Sequence, residues 1–307
     1  MTDALIHEQA LCEGARVGAG SRVLAFSHLA ASTCVGRDCI IGTHVFLDHA
    51  VHLGDRVAIG SGAYVGKGIR LEDDVKVGAG ATLAHLTEGS GDAGFSPGLV
   101  RAGASVGANA TILPGVVIGP KARIEPGSVV TRSVPSNAIV AGNPAQIIGY
   151  VGTVDNQVDP WASSPSGVHG TSVSGVTIRQ MSEVEDLRGN LSVGELGRDV
   201  PFEVKRYFLV YDVPNMEIRG EHAHLVCHQF LIAAKGSLRV VVEDGVNREE
   251  IVLDKPSLGL HLPPMTWGIQ YRYSPDAVLL VLASHHYDPS DYVRDHDRFL
   301  AMVRGNA

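Results

Sequence analysis

Aliphatic residues in the first half of the chain recur every sixth position. Stepping by six from Val17 meets Val23, Leu29, Val35, Ile41, Leu47, Leu53, Ile59, Val65, Leu71, Val77 and Leu83; the step resumes at Val106 with Ile112, Ile118, Ile124 and Val130. Glycine follows the aliphatic in nine of these seventeen hexads. The residue two before it is always Ala, Ser, Thr, Cys, Val or Ile. A period of six fits neither one helix face nor a simple strand alternation. It is the mark of a parallel β-helix, in which each hexad makes a short strand and a turn and three hexads close a triangular coil. The aliphatic fills the interior and the residue two before must be small enough to lie beside it. The glycine is expected to serve the turn, where a positive φ is cheap for it. Seventeen hexads predict between five and six coils. Between Leu83 and Val106 the step fails, and the insert AHLTEGSGDAGFSPGLVRAG reads as a loop thrown out of the coil.

Beyond residue 150 the hexad is gone. Residues 151–175, rich in Ser, Gly, Pro and Val, read as a linker between domains at 1–150 and 176–307. Short β-branched or alternating runs then predict strands at Val176–Arg179, Val204–Tyr211, Cys227–Ala233, Ser237–Glu243, Glu250–Leu253, Leu258–Leu262 and Ala277–Ala283. Asp244-Gly245 marks a tight hairpin. Many short strands imply a sandwich or barrel, so both domains are expected to be all-β. One helix is predicted from Ser290 to Arg304, with Tyr292, Val293, His296, Phe299, Leu300 and Val303 on one face.

Composition narrows the chemistry. The net charge of −8 argues against a nucleic-acid or anionic-membrane partner, since both require a basic surface. Four scattered cysteines with no CxxC pair give neither a disulfide framework nor a zinc motif. No apolar run is long enough to span a membrane. The first residues show neither a basic n-region nor an apolar h-region, which predicts a cytoplasmic location.

The hexad repeat resembles the left-handed parallel β-helix acyltransferases over about residues 15–150, and VPSNAIVAGNPAQIIG (134–149) looks like the closing segment of their sugar N-acetyltransferases. The resemblance implies acetyl-CoA as co-substrate and a trimer, whose extruded loops reach clefts between subunits. His85, at the root of that loop, is the candidate base or positioning group for an amine, where relatives often place Asn. For CoA the resemblance points to Ala141, Gly142, Asn143 and Pro144, with Lys121 and Arg132 near its phosphates. His44, His49 and His52 read as solvated turn or outward residues.

The second domain carries RGEHAH (219–224) followed by Gly236, similar to the first cupin motif, but Gln229 stands where a metal cupin has its Glu. No second-motif histidine is in register in LGLHLPPMTWGIQ (258–270). Two imidazoles make a poor metal site on their own, so no metal is expected. Spaced by two, His222 and His224 point to one side of a strand. Together with DLRGNL (186–191), PFEVKRYFLVYDVP (201–214) and VLASHHYDPSDYVR (281–294), the segment resembles the sugar 3,4-ketoisomerases, non-metal cupins acting on dTDP-4-keto-6-deoxyhexoses. The resemblance implies His222 as base, His224 beside it, Arg188 and Arg219 on the diphosphate or sugar, Gln229 on a sugar oxygen and Trp267 as a pocket wall. Phe208 stands where relatives often carry an inward Tyr, and Tyr211 is expected on the opposite face.

The two resemblances imply one pathway: a 3-keto dTDP-sugar is made, aminated by a separate enzyme, then N-acetylated, for a surface polysaccharide. A galacto product is favoured through Arg188, and cupin dimers joined to β-helix trimers would close as a hexamer. A 3,5-epimerase, a sugar-sensing cupin and a β-helix serving only as a trimerisation scaffold are the rival readings.

Overall fold

A chain whose aliphatics return every six residues buries them best by winding, because each turn then stacks its aliphatic on that of the turn below. The computed structural model describes residues 3–85, 97–155, 167–186, 189–214 and 217–305, and divides the chain into two units, Met1–Gly152 and Thr153–Ala307. Unit 1 is a parallel β-helix of two-residue strands. Each strand pairs in parallel with the strand three further on, so three faces run along the solenoid with an 18-residue rise, as in Phe46↔Tyr64↔Thr82. From Arg22–Val23 onward the second residue of each two-residue strand points inward: Leu29, Ile41, Leu47, Val65 and Ile118 are fully buried. Burying each contributes about 1.5–3 kcal/mol.

The repeat extends further than its sequence signal. Two strands, Leu5–Ile6 and Leu11–Cys12, precede the first hexad, and after the loop the ladder resumes at Leu99–Val100, one hexad earlier than expected. The role of the glycines also differs. Positive φ falls two positions beyond the hexad glycine, and is held by Gly20 and Gly62 but equally by Asp38, His44, Arg56 and Asn109. The hexad glycine itself is needed because the next coil passes against it: a Cβ on Gly36 would lie 2.3 Å from the Gly54 carbonyl oxygen, and one on Gly78 2.4 Å from the Ala108 nitrogen. Polar groups two before the aliphatic tie coils together, as where Ser21 Oγ donates to the Gly36 carbonyl and accepts from Cys39 N–H.

Unit 2 stacks two six-stranded sheets among its described residues. One runs Val154–Asp155, Arg248–Leu253, Leu238–Glu243, Trp267–Tyr271, Arg219–His224, Tyr292–Val293; the other runs Val168–Gly170, Thr177–Gln180, Leu258–Leu262, Gln229–Lys235, Val278–Ala283, Arg206–Tyr211. Leu231, Leu238, Val240, Val242, Leu260, Leu279 and Val281 fill the space between them. This is the cupin barrel expected. The stretch read as linker contributes two of these strands, Val154–Asp155 and Val168–Gly170. The helix expected from Ser290 is corrected to His296–Gly305: Asp288 caps a 3₁₀ turn at Pro289–Asp291, and Tyr292–Val293 is strand. An α-helix that early would withdraw the Ala223↔Val293 pairing from the sheet. No helix among the described residues is long and apolar enough to cross a membrane. All four cysteines are free thiols.

Candidate active sites

In unit 2 the strand Arg219–His224 carries the histidine pair. A bulge between Gly220 and His222, with Glu221 at φ 54°, precedes the pair, and strand alternation puts both imidazoles on one side. Gly220 is required there, since a Cβ would lie 2.6 Å from the Gly268 carbonyl oxygen. The rings meet edge to face at 4.9 Å. His222 Nδ1 lies 2.9 Å from its own strand's Gly220 carbonyl. That contact makes Nδ1 the donor and leaves Nε2 with its lone pair free. Burial pushes His222 down to about 4, against the Gly220 carbonyl and helped by His224 and Arg294. It is therefore an unprotonated base at neutral pH.

His224 is committed on both sides. Its Nδ1 lies 2.7 Å from Asp291 Oδ2 and its Nε2 3.0 Å from the Gln229 amide nitrogen. Asp291 accepts in turn from Val226 N–H at 2.8 Å. Burial lowers His224 more than Asp291 raises it. Gln229, expected on a sugar oxygen, gives its amide nitrogen to His224.

Besides Asp291, three groups here were not foreseen. Tyr292 packs 4.9 Å from the His222 ring and 4.3 Å from the His224 ring. Its hydroxyl accepts from Arg206 Nη2 at 3.4 Å. Arg294 lies over the Tyr292 ring at 4.4 Å, and the Arg206 guanidinium rests between the Phe208 and Tyr287 rings with Nε buried and unpaired. Tyr292 puts a phenol beside the two imidazoles, where Phe208 has none. The strand Arg206–Tyr211 is regular, leaving Tyr211 outward and exposed. The signal for Asp291 and Tyr292 was the quoted segment DPSDYVR, whose helical spacing concealed a strand.

Other expected ligands lie elsewhere. His222 faces Gly268 across the strands, so by alternation Trp267 points to the opposite side. It is buried there against His296 and Phe299 of the helix, which corrects its reading as a pocket wall. Arg219 is exposed beside Gln270. Arg188 lies outside the described residues. Among the described residues His224, Cys227 and Asp291 bring metal-type donor atoms within 4.8 Å, but both His224 nitrogens and both Asp291 oxygens are already in hydrogen bonds.

In unit 1, His85 follows the strand Thr82–Leu83; the expected extruded loop falls largely at 86–96, outside the described residues. It does not stand alone. Its Nδ1 is 3.2 Å from the Tyr64 hydroxyl, that hydroxyl donates to Asp48 Oδ2 at 3.2 Å, and Asp48 Oδ2 is 3.8 Å from His85 Nε2. His49 binds Asp48 Oδ1 through its ring at 2.8 Å and its N–H at 2.7 Å. Burial alone would raise Asp48; bonds from His49 and Tyr64, with His85 nearby, hold it below the usual carboxylate range. Of the CoA candidates, Ala141 and Gly142 end the strand Ala138–Gly142 and Asn143 and Pro144 form the turn to Ala145–Tyr150; Gly142, Asn143 and Pro144 are exposed, as are Lys121 and Arg132.

The cupin unit, with His222 half-buried beside a buried His224, carries the arrangement of an isomerase, and the solenoid unit carries a histidine–carboxylate cluster around His85. The model for WxcM-like, C-terminal domains (FdtA) matches residues 174–304, and models for the bacterial transferase hexapeptide and the hexapeptide repeat of succinyl-transferase match 99–132 and 50–84. TDP-4-oxo-6-deoxy-alpha-D-glucose-3,4-oxoisomerase from Aneurinibacillus thermoaerophilus is 40% identical over 39% of this chain and 87% of its own. The dTDP-3-amino-3,6-dideoxy-alpha-D-galactopyranose 3-N-acetyltransferase of the same organism is 51% identical over 19% of this chain, a match spanning 30% of that enzyme's length. A 3,4-ketoisomerase structure from Helicobacter canadensis is 38% identical, covering 42% of this chain and 98% of that one, with a TM-score of 0.41. Through its second unit the chain belongs to the FdtA, WxcM-like family, and its first unit is built of bacterial transferase hexapeptide repeats.

Proposed function

We propose that this chain catalyses two steps on a dTDP-linked 6-deoxyhexose. Unit 2 converts dTDP-4-keto-6-deoxyglucose to a 3-keto isomer; unit 1 acetylates, from acetyl-CoA, the amine that a separate aminotransferase installs at C3. The observation that carries the first step is His222, with one nitrogen tied to a carbonyl and the other free. Nε2 removes the C3 proton, giving a 3,4-enediol, and a proton returned to C4 leaves the ketone at C3. Tyr292 with Arg206 is placed to donate to the oxygens on which charge gathers. His224, clamped between Asp291 and Gln229, holds the His222 ring and polarises the site. In unit 1, His85 takes the proton released as the amine attacks the thioester, and the Asn143 turn with Lys121 and Arg132 receives CoA.

The name of the acetyltransferase relative supports a galacto configuration. The same reading makes unit 1 a trimer, unit 2 a dimer and the assembly a cytoplasmic hexamer that supplies a surface polysaccharide. The test is to incubate the chain with dTDP-4-keto-6-deoxyglucose in D2O and follow it by NMR. A 3-keto product with deuterium at C4 is expected, and deuterium at C3 only in recovered 4-keto substrate. His222→Ala should lower that rate by about 10³-fold, within the usual range for a general base, and leave acetyl transfer within about twofold. No product from the unaltered chain overturns the isomerase reading, and deuterium at C5 replaces it with an epimerase.

A further inference from the structure

The cluster around His85 contains more than a base needs. We infer that Tyr64 is a positioning residue that fixes the tautomer of His85, relaying it to Asp48, so that Nε2 is the atom presented to the amine. The inference rests on the acetyl-transfer reading of unit 1.

The argument begins with the proton count. Tyr64 has one hydroxyl proton and two neighbours within 3.2 Å, the carboxylate of Asp48 and Nδ1 of His85. A hydrogen bond to a charged acceptor is about twice as strong as one between neutral groups, so the proton goes to Asp48. The hydroxyl oxygen then has only lone pairs to offer, and Nδ1 must carry the ring proton. Nε2 is left as the base. Its distance of 3.8 Å from Asp48 Oδ2 is too long for a hydrogen bond, so Nε2 keeps its lone pair for the proton of the amine. Tyr64 stays a phenol throughout, since burial and the adjacent Asp48 push it up to about 12.

The repeat supplies the geometry. Tyr64 is stacked on Phe46 of the coil below at 5.7 Å, which fixes the ring. Asp48 is fixed by the His49 N–H and ring. Gly66 makes the space: a Cβ there would lie 2.6 Å from His85 Nδ1 and 3.0 Å from its Cβ. The hexad glycine that elsewhere admits the next coil here admits the imidazole.

The relay has a signature that a merely structural role lacks. In the full chain, acetyl transfer to a dTDP-3-amino-3,6-dideoxyhexose is followed by thiol release from acetyl-CoA. Tyr64→Phe should lower kcat about tenfold with KM for both substrates within about twofold, in keeping with the worth of proton-transfer groups. Asp48→Asn should lower it somewhat more, and the double variant should be no slower than Asp48→Asn, because either change breaks the same chain. Gly66→Ala should reproduce the Tyr64→Phe loss with both hydrogen-bonding groups intact. Ketoisomerase activity, measured on the same samples, reports that the chain remains folded. Multiplicative losses in the double variant, or a Tyr64→Phe rate within twofold of the unaltered chain, overturn the relay. Absence of acetyl transfer by the unaltered chain overturns instead the reading on which it rests.

Discussion

His85 and His222 are both placed to accept a proton, and the fold equips them by opposite means. His85 lies on the outside of a solenoid, and its partners come from successive coils: Asp48 and Tyr64 from the two below, brought together by the 18-residue rise. Its character is set by discrete neighbours. His222 lies in a barrel, where loss of water is the largest influence, driving it down to about 4. A surface repeat builds a site by stacking side chains; a barrel builds one by excluding solvent and then compensating for the exclusion. The compensation is visible in the His224–Asp291 pair, both almost fully buried and 2.7 Å apart.

The largest effect expected from that contrast follows removal of the compensating charge. Asp291→Asn takes the acceptor from His224 Nδ1 and weakens the bond from Val226 N–H. A hydrogen bond from a neutral imidazole to an ionised carboxylate is worth about 1.5–3 kcal/mol. Unit 2 should lose stability of that order, and the isomerase about 100-fold in kcat, by analogy with the loss of a group that orients a histidine. Denaturation followed by hydrogen exchange separates the units: peptides from 229–243 should lose protection while those from 57–71 keep theirs. A change confined to activity would mean that Asp291 is not compensating burial.

A second test uses protons instead of substitutions. His222 and His261 are both held near 4 by burial, His261 with further help from His228 and Arg179. In the unfolded chain each titrates near 6.5, so between 6.5 and 4 the unfolded state binds more protons and stability falls as pH falls. Each histidine removes about 3 kcal/mol across that window. Protection in 229–243 and 258–271 should therefore decline from pH 6.5 downward. In unit 1 the shifted carboxylate Asp48 lies below its ordinary value of 3.8, so its contribution is lost only at still lower pH. Ketoisomerase rates should stay level from pH 8 to about pH 5, because His222 remains a free base there. An acid limb near 6.5 would show that solvent reaches His222.

How far this was readable in the sequence follows from the same contrast. The β-helix core was legible because one rule, an aliphatic every six residues, is imposed by burial at every coil. Its limits were not: Leu5–Ile6 and Leu11–Cys12 sit at an open end with exposed side chains, where nothing enforces the pattern. His85 was found by its place at the loop, but Asp48 and Tyr64 are 37 and 21 residues away and become its neighbours only once the coils are stacked. The His-x-His pair was legible because alternation alone puts both rings on one side. Asp291 and Tyr292 were missed as site residues because Tyr292, Val293, His296, Phe299 and Leu300 fit a helix face; pairing of Tyr292 with His224 across the sheet overrides that local spacing.

The smallest effect should come from chelation, and its smallness is informative. His224, Cys227 and Asp291 are the group of described residues whose donor atoms would hold an ion, all within 4.8 Å. A metal needs a histidine lone pair, yet His224 Nε2 already faces the Gln229 amide and Nδ1 faces Asp291. Binding would require Gln229 to withdraw and Asp291 to release Val226 N–H, leaving buried polar groups unpaired at about 1–3 kcal/mol each. Dialysis against a strong chelator should therefore leave the isomerase rate within about 1.5-fold. A lost rate restored by added zinc or manganese would show that the imidazoles serve an ion, and that the barrel site, like the solenoid site, is governed by a discrete charged neighbour.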